Sequence, residues 1–141
     1  MTQPSSPPSI PSIETATDPI HSAGDMLQRW RALMGPLGFD ERLLWLGFVG
    51  PDRCMTKVLS QVAVGAAPHR GLVEDLMVGL EVLLADLDAG TSVAMLLSRP
   101  GRDGLSAEDR RWGVVLTKAA ARIGVPIEPV FRANDAAIVP I

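Results

Sequence analysis

The stretch "TSVAMLLSRPGRDGLSAED", residues 91–109, decides the architecture. Residues 91–97 are apolar on both faces of an extended chain, the pattern of a strand central in a sheet. The run breaks at Ser98 into a loop of Pro, Gly and Arg, and Ser106 opens a helix. The carboxyl end of a strand, followed by a helix N-terminus, is a common location for chemistry in α/β proteins. Residues 97–109 are therefore the first place to look for a site.

Working outward, "AEDRRWGVVLTKAAARIG" sets Trp112, Leu116, Ala119 and Ile123 on one helical face and stops at Gly124. Upstream, "HRGLVEDLMVGLEVLLADLDAG" carries Leu72, Leu76, Leu80, Leu83 and Leu87, with Val73, Met77 and Leu84 beside them. That is a wide apolar stripe of period 3.6, ended by Gly90. Before it, "LLWLGFVG" is too short for a typical helix and reads as a buried strand. Pro51 and Asp52 form the centre of a type I turn, and residues 54–65 return as the second arm of a hairpin. Lys57, Ser60 and Gln61 mark that arm as partly solvated.

A first helix over residues 22–35 opens at Ser22, with Asp25 three residues on as in a capping box. It aligns Met26, Trp30 and Leu33, and closes at Gly35-Pro36. In the last segment, "VPIEPVFRA", a turn at "ND" and "AAIVPI" give two short strands, whose prolines predict sheet edges. The order α-β-β-α-β-α-β-β predicts an α/β fold, a mixed β-sheet flanked by helices.

The 141 residues suit a single α/β domain over 21–141. Residues 1–20 hold five of the twelve prolines among Ser and Thr, and are expected to form a disordered tail. A net charge of −3 draws the whole chain towards neither nucleic acid nor an anionic membrane. Cys54 is the lone cysteine, which rules out an internal disulfide; it reads as a small hydrophobe in a strand. The start lacks the basic and apolar regions of a secretory signal, and no apolar run approaches the roughly 20 residues of a membrane span. The expected location is cytoplasmic.

From residue 43 onward the chain resembles the RadC-type branch of the JAMM (MPN) metal-protease superfamily. In that family a strand pair precedes a helix opened by a His-Pro-Arg-Glu-like segment, where this chain has "APHRG" at residues 67–71. The central strand then runs into His-x-His-Pro, and Ser-x-x-Asp opens the next helix. Here Pro100 and the segment Ser106-Ala107-Glu108-Asp109 reproduce the proline and the Ser-x-x-Asp. Gly124-Val125 and the ending "ANDAAIVPI" are similar to the family's closing elements.

The departures fall on the chemistry. The two histidine positions are Leu97 and Arg99, the loop to Ser106 is shorter than the family's, and the upstream glutamate falls near Val58. A catalytic zinc needs about three protein ligands and an open position. Leu97 offers no lone pair, Arg99 is a fixed cation, and Asp109 alone matches a ligand. The resemblance therefore implies a degenerate member with no metal, no cofactor and no hydrolysis. Such a module would bind a protein partner or itself through the first helix or a sheet edge.

Two further readings stay open. Arg99 and Arg102 beside a helix N-terminus could bind an anion or a nucleic-acid phosphate, with Arg110 and Arg111 close by. Against this, Asp103, Glu108 and Asp109 can neutralise them as surface pairs. A pocket converging on Asp103, Asp109 and His69 would instead signal an enzyme of unrecognised chemistry. His21, His69 and Cys54 lack the spacing of a ligand set, and no phosphate-binding glycine loop or serine elbow occurs. Trp30, Trp45 and Trp112 sit on apolar faces and are expected in the core.

Overall fold

The computed structural model describes residues 9–141. Three helices and five strands follow in the expected order: α1 (Ala23–Met34), β1 (Leu43–Val49), β2 (Met55–Ala63), α2 (Arg70–Ala85), β3 (Ser92–Ser98), α3 (Ala107–Ile123), β4 (Phe131–Ala133) and β5 (Ile138–Pro140). The sheet is mixed, in the order β2-β1-β3-β4-β5. β1 is antiparallel to both neighbours, β3 and β4 run parallel, and β5 returns antiparallel as an edge. β4, expected at an edge, lies inside the sheet, and Pro140 stands on the outer strand.

All seven residues of β3 are buried, because helices cover both faces of the sheet beside it. On one face Leu44, Leu46, Phe48, Met95 and Leu97 pack against Met77 and Leu80 of α2 and Trp112 and Leu116 of α3. On the other, Leu96, Phe131 and Ile138 pack against Met26 and Trp30 of α1. The apolar face of α1 is thus used inside the fold. Trp45 is only partly buried, and its indole N–H donates to Ser98 Oγ at 2.9 Å.

The hairpin turn has the expected form, with Arg53 N–H donating to Gly50 O at 2.9 Å. The following residue position carries the surprise: Arg53 adopts φ 65°, a left-handed conformation unusual for a side-chain-bearing residue. Several bonds hold it there. Its Nε donates to Ile20 O at 2.9 Å, its carbonyl accepts from Ile20 N–H at 2.8 Å, and its guanidinium pairs with Glu128. Glu128 also accepts from Ser92 Oγ at 2.8 Å. Cys54 lies in this turn, just outside β2, and not in the strand.

These bonds correct the expectation for the tail. Residues 1–8 of it lie outside the described residues, but 13–17 form a 3₁₀ turn and Ile20 is buried to 1 % exposure against the α1 side of the sheet. A polar, proline-rich composition does not show that one buried isoleucine and one arginine will anchor the segment.

The second correction concerns α2. The helix ends at Ala85, before the expected Gly90, with Asp86 as its C-cap. Only Val73, Met77 and Leu80 of its stripe are buried, whereas Leu72, Val78, Val82 and Leu83 are exposed, as is Leu87 beyond the helix. The stripe is wider than the sheet surface available to cover it.

Candidate functional site at the cap of the third helix

Arg99 leaves β3 with its N–H still on the ladder, donating to Ala133 O at 3.0 Å. Its side chain then turns towards the first turn of α3. Nε donates to Asp109 Oδ1 and Nη2 to Asp109 Oδ2, both at 2.8 Å, a two-pronged pair. Asp103 accepts from Nη1 at 2.9 Å and from Nη2 at 3.1 Å. The carbonyls of Pro100 and Gly104 accept at 3.1 and 3.3 Å. Every nitrogen of the guanidinium is engaged, and only 4 % of the residue is exposed.

Asp109 serves two purposes at once. Ser106 Oγ accepts from its N–H, and its Oδ2 accepts from Ser106 N–H, both at 3.0 Å, completing a capping box. The residue is fully buried. Burial pushes its carboxyl up, but the Arg99 hydrogen bonds, the Ser106 N–H and the charges of Arg99 and Arg132 outweigh it and hold it below the usual Asp range. Asp103 is also held low, chiefly by the Arg99 hydrogen bonds.

The loop itself is tied down from behind. Asp135 accepts from Gly101 N–H and from Phe39 N–H, each at 2.9 Å. Asn134 donates to Asp103 O at 2.7 Å and accepts from the N–H groups of Ala136 and Ala137. Gly101 sits at φ 112°, and a Cβ there would come within 3.1 Å of Arg99 Nη1, so the closed loop demands glycine.

The structure therefore brings Arg99, Asp103, Ser106 and Asp109 together and leaves two of the singled-out residues elsewhere. Leu97 is fully buried in the α2/α3 core, opposite Leu44 and Arg132 in register. Arg102 is exposed and donates to Asp135 O at 3.3 Å. The surface pairing expected around this loop is correct only for Arg111 and Glu108, which meet at 3.4 Å in the open. Arg99–Asp109 is a buried pair. His69 caps α2, its Nδ1 accepting from Leu72 N–H at 3.2 Å.

Arg132 is the member that sequence reasoning passed over. It is 2 % exposed, its Nε lies 3.6 Å from Asp109 Oδ2, and neither Nε nor Nη1 finds a hydrogen-bond partner. Burial pulls its guanidinium down, with Asp109 opposing. The signal was available: a single charge inside "PVFRA", an otherwise apolar strand.

This donor set does not fit a zinc ion. Both oxygens of Asp109 are occupied by guanidinium and backbone, Leu97 is hydrocarbon in the core, and Val58 stands on β2, separated from β3 by β1. Among the described residues, no three of His, Cys, Asp and Glu are grouped closely enough to hold a metal ion. Arg99 has no free donor to offer an anion, whereas Arg102 of the same loop is exposed. None of Arg99, Asp103, Asp109 or His69 lines a surface cavity of about 700 Å³ beside α2 or four smaller ones elsewhere among the described residues.

The network makes a pH prediction. The carboxyls of Asp103, Asp109, Asp135 and Glu128 are all lowered from their usual values of 3.8 and 4.5. Below those values the unfolded chain takes up protons that the folded chain refuses. Stability is therefore complete above about pH 5 and falls as pH drops through the depressed folded values. Thermal unfolding followed by circular dichroism should give a level Tm from neutrality to about pH 5 and a steep decline below. A Tm unchanged down to about pH 3 would contradict the network.

No helix among the described residues is long and apolar enough to cross a membrane. No protein-family model, curated protein or solved structure matches the chain.

Proposed function

We propose that the chain is a metal-free relative of the RadC/JAMM proteins that acts by binding, as a protein-interaction or scaffold module. One observation carries this reading: the Arg99 guanidinium is seated on Asp109, the one residue matching that family's metal ligands. A fixed monovalent cation with five N–H donors takes the carboxylate's charge, but it cannot polarise a water into a nucleophile as a divalent ion does. Arg99, Asp109 and Ser106 satisfy one another, and both oxygens of Asp109 are taken by guanidinium and backbone N–H groups, which leaves no open position for a reacting water. Two features favour binding over another chemistry: Arg99, Asp103 and Asp109 line none of the cavities described above, and a broad apolar surface remains on α2.

Elemental analysis of the full chain after dialysis against zinc chloride tests the reading. The expected result is zinc far below one per chain, unchanged in Asp109→Asn. One zinc per chain that disappears in Asp109→Asn would overturn it.

A further inference from the structure

The cavity of about 700 Å³ is an open groove where the sheet runs out from under its helices. Its floor is the α2/α3-side face of β1 and β2, with Phe48 and Val58, and its wall is the side of α2 carrying Leu76, Gly79 and Leu83. The opposite side of α2 is already occupied, as Glu74 pairs with Arg122 of α3 at 2.6 Å. β2 is the edge strand, so no further strand or helix of the described chain covers this corner. Val58 and Leu83 are 57 % and 54 % exposed on its two sides, large apolar groups in water.

The groove has the shape of a missing helix. A floor of sheet and a wall of helix is what α2 and α3 offer each other, and Gly79 leaves open space beside the α2 backbone. Its polar character is one-sided. Among the described residues, Asp75 and Asp86 are the only ionisable ones lining it, and neither has an ion pair or side-chain hydrogen bond there. Lys57, between Thr56 and Val58 in the strand, falls on the opposite face. The two acids stand about three helical turns apart, roughly 16 Å.

The geometry points to an amphipathic helix of a partner protein as the occupant: an apolar stripe flanked by Lys or Arg residues about three turns apart, lying along α2 over β2. This rests on the reading of the chain as an interaction module and names the surface and the partner's chemistry. A second copy fits worse. Two α2 helices packed antiparallel with their centre between residues 80 and 81 would set Asp75 of each beside Asp86 of the other, and each chain carries a net charge of −3.

The test uses the full chain and a synthetic helical peptide of Leu and Ala, about 16 residues long, with two lysines roughly three turns apart. A control peptide carries Glu in their place. Calorimetric titration is expected to show the lysine peptide binding at least about fivefold tighter than the control. Asp75→Asn/Asp86→Asn should remove that difference, and Leu83→Glu should abolish binding of both peptides. Position 83 is already exposed, so the variant should keep the wild-type circular dichroism.

Equal binding of the two peptides would overturn the charge assignment. Binding that survives Leu83→Glu would overturn the groove itself and leave pairing at the β2 edge as the mode. Dimerisation of the wild type, lost in Leu83→Glu, without peptide binding would make a second copy the occupant; the interaction-module reading would then stand while this inference falls. A zinc-loaded protein that still prefers the lysine peptide would do the reverse.

Discussion

Asp109→Ala is expected to lower the stability of the folded chain by about 3–5 kcal/mol, a fall in Tm on the order of 10 °C. The size follows from what remains behind. Asp109 is fully buried and its two oxygens take the Nε and Nη2 of Arg99 at 2.8 Å, with Arg132 Nε a further contact at 3.6 Å. Removing the carboxylate strands two guanidinium groups that are 4 % and 2 % exposed, with only the half-exposed Asp103 to balance them. It also opens the capping box with Ser106. Replacing both partners, as Arg99→Met/Asp109→Leu, should cost less than Asp109→Ala alone, because it leaves one fewer uncompensated charge. Denaturant unfolding of the three proteins measures this. A loss below about 1 kcal/mol in Asp109→Ala would mean that the Arg99–Asp109 pair is not holding the loop to the helix.

Arg132→Met is expected to have the opposite sign, raising stability by about 1–3 kcal/mol. In β4, Arg132 stands opposite Leu97 and Val139 on a face otherwise given to apolar packing. Two of its nitrogens make no hydrogen bond, and its contact with Asp109 is too long to be one. Asp109 keeps its two-pronged bond to Arg99 and its Ser106 N–H when Arg132 goes. A methionine fills much of the same volume without a charge to desolvate. Urea unfolding of the variant gives the sign directly. Destabilisation by more than about 1 kcal/mol would show that the Arg132 charge is needed to balance Asp103 and Asp109.

Much of the architecture was legible residue by residue. The doubly apolar run at 91–97 reads as a central strand and is found as β3 over Ser92–Ser98, the 3.6-residue spacing of Trp112, Leu116 and Ala119 reads as an amphipathic helix, and Ser106 with Asp109 spelled its cap. These are local signals, set by the periodicity of the backbone and the satisfaction of its own N–H groups. The site was half legible. Asp103, Ser106 and Asp109 were singled out with Arg99, but as a surface cluster, since nothing in a linear sequence says whether opposite charges meet in water or inside.

What the amino-acid order determined by itself is the sequence of helices and strands and the absence of histidines where the resemblance would place them. The tertiary structure alone decided three things. Arg99 folds inward onto Asp109 because β3 carries it to the start of α3. Arg132 is buried beside them because β4 inserts next to β3 and not at the edge. Leu83 and Val58 face an open groove because the sheet ends one strand beyond α2. Each depends on which elements become neighbours, and that is settled by the competition among all apolar faces for a limited area of sheet, which no single segment records.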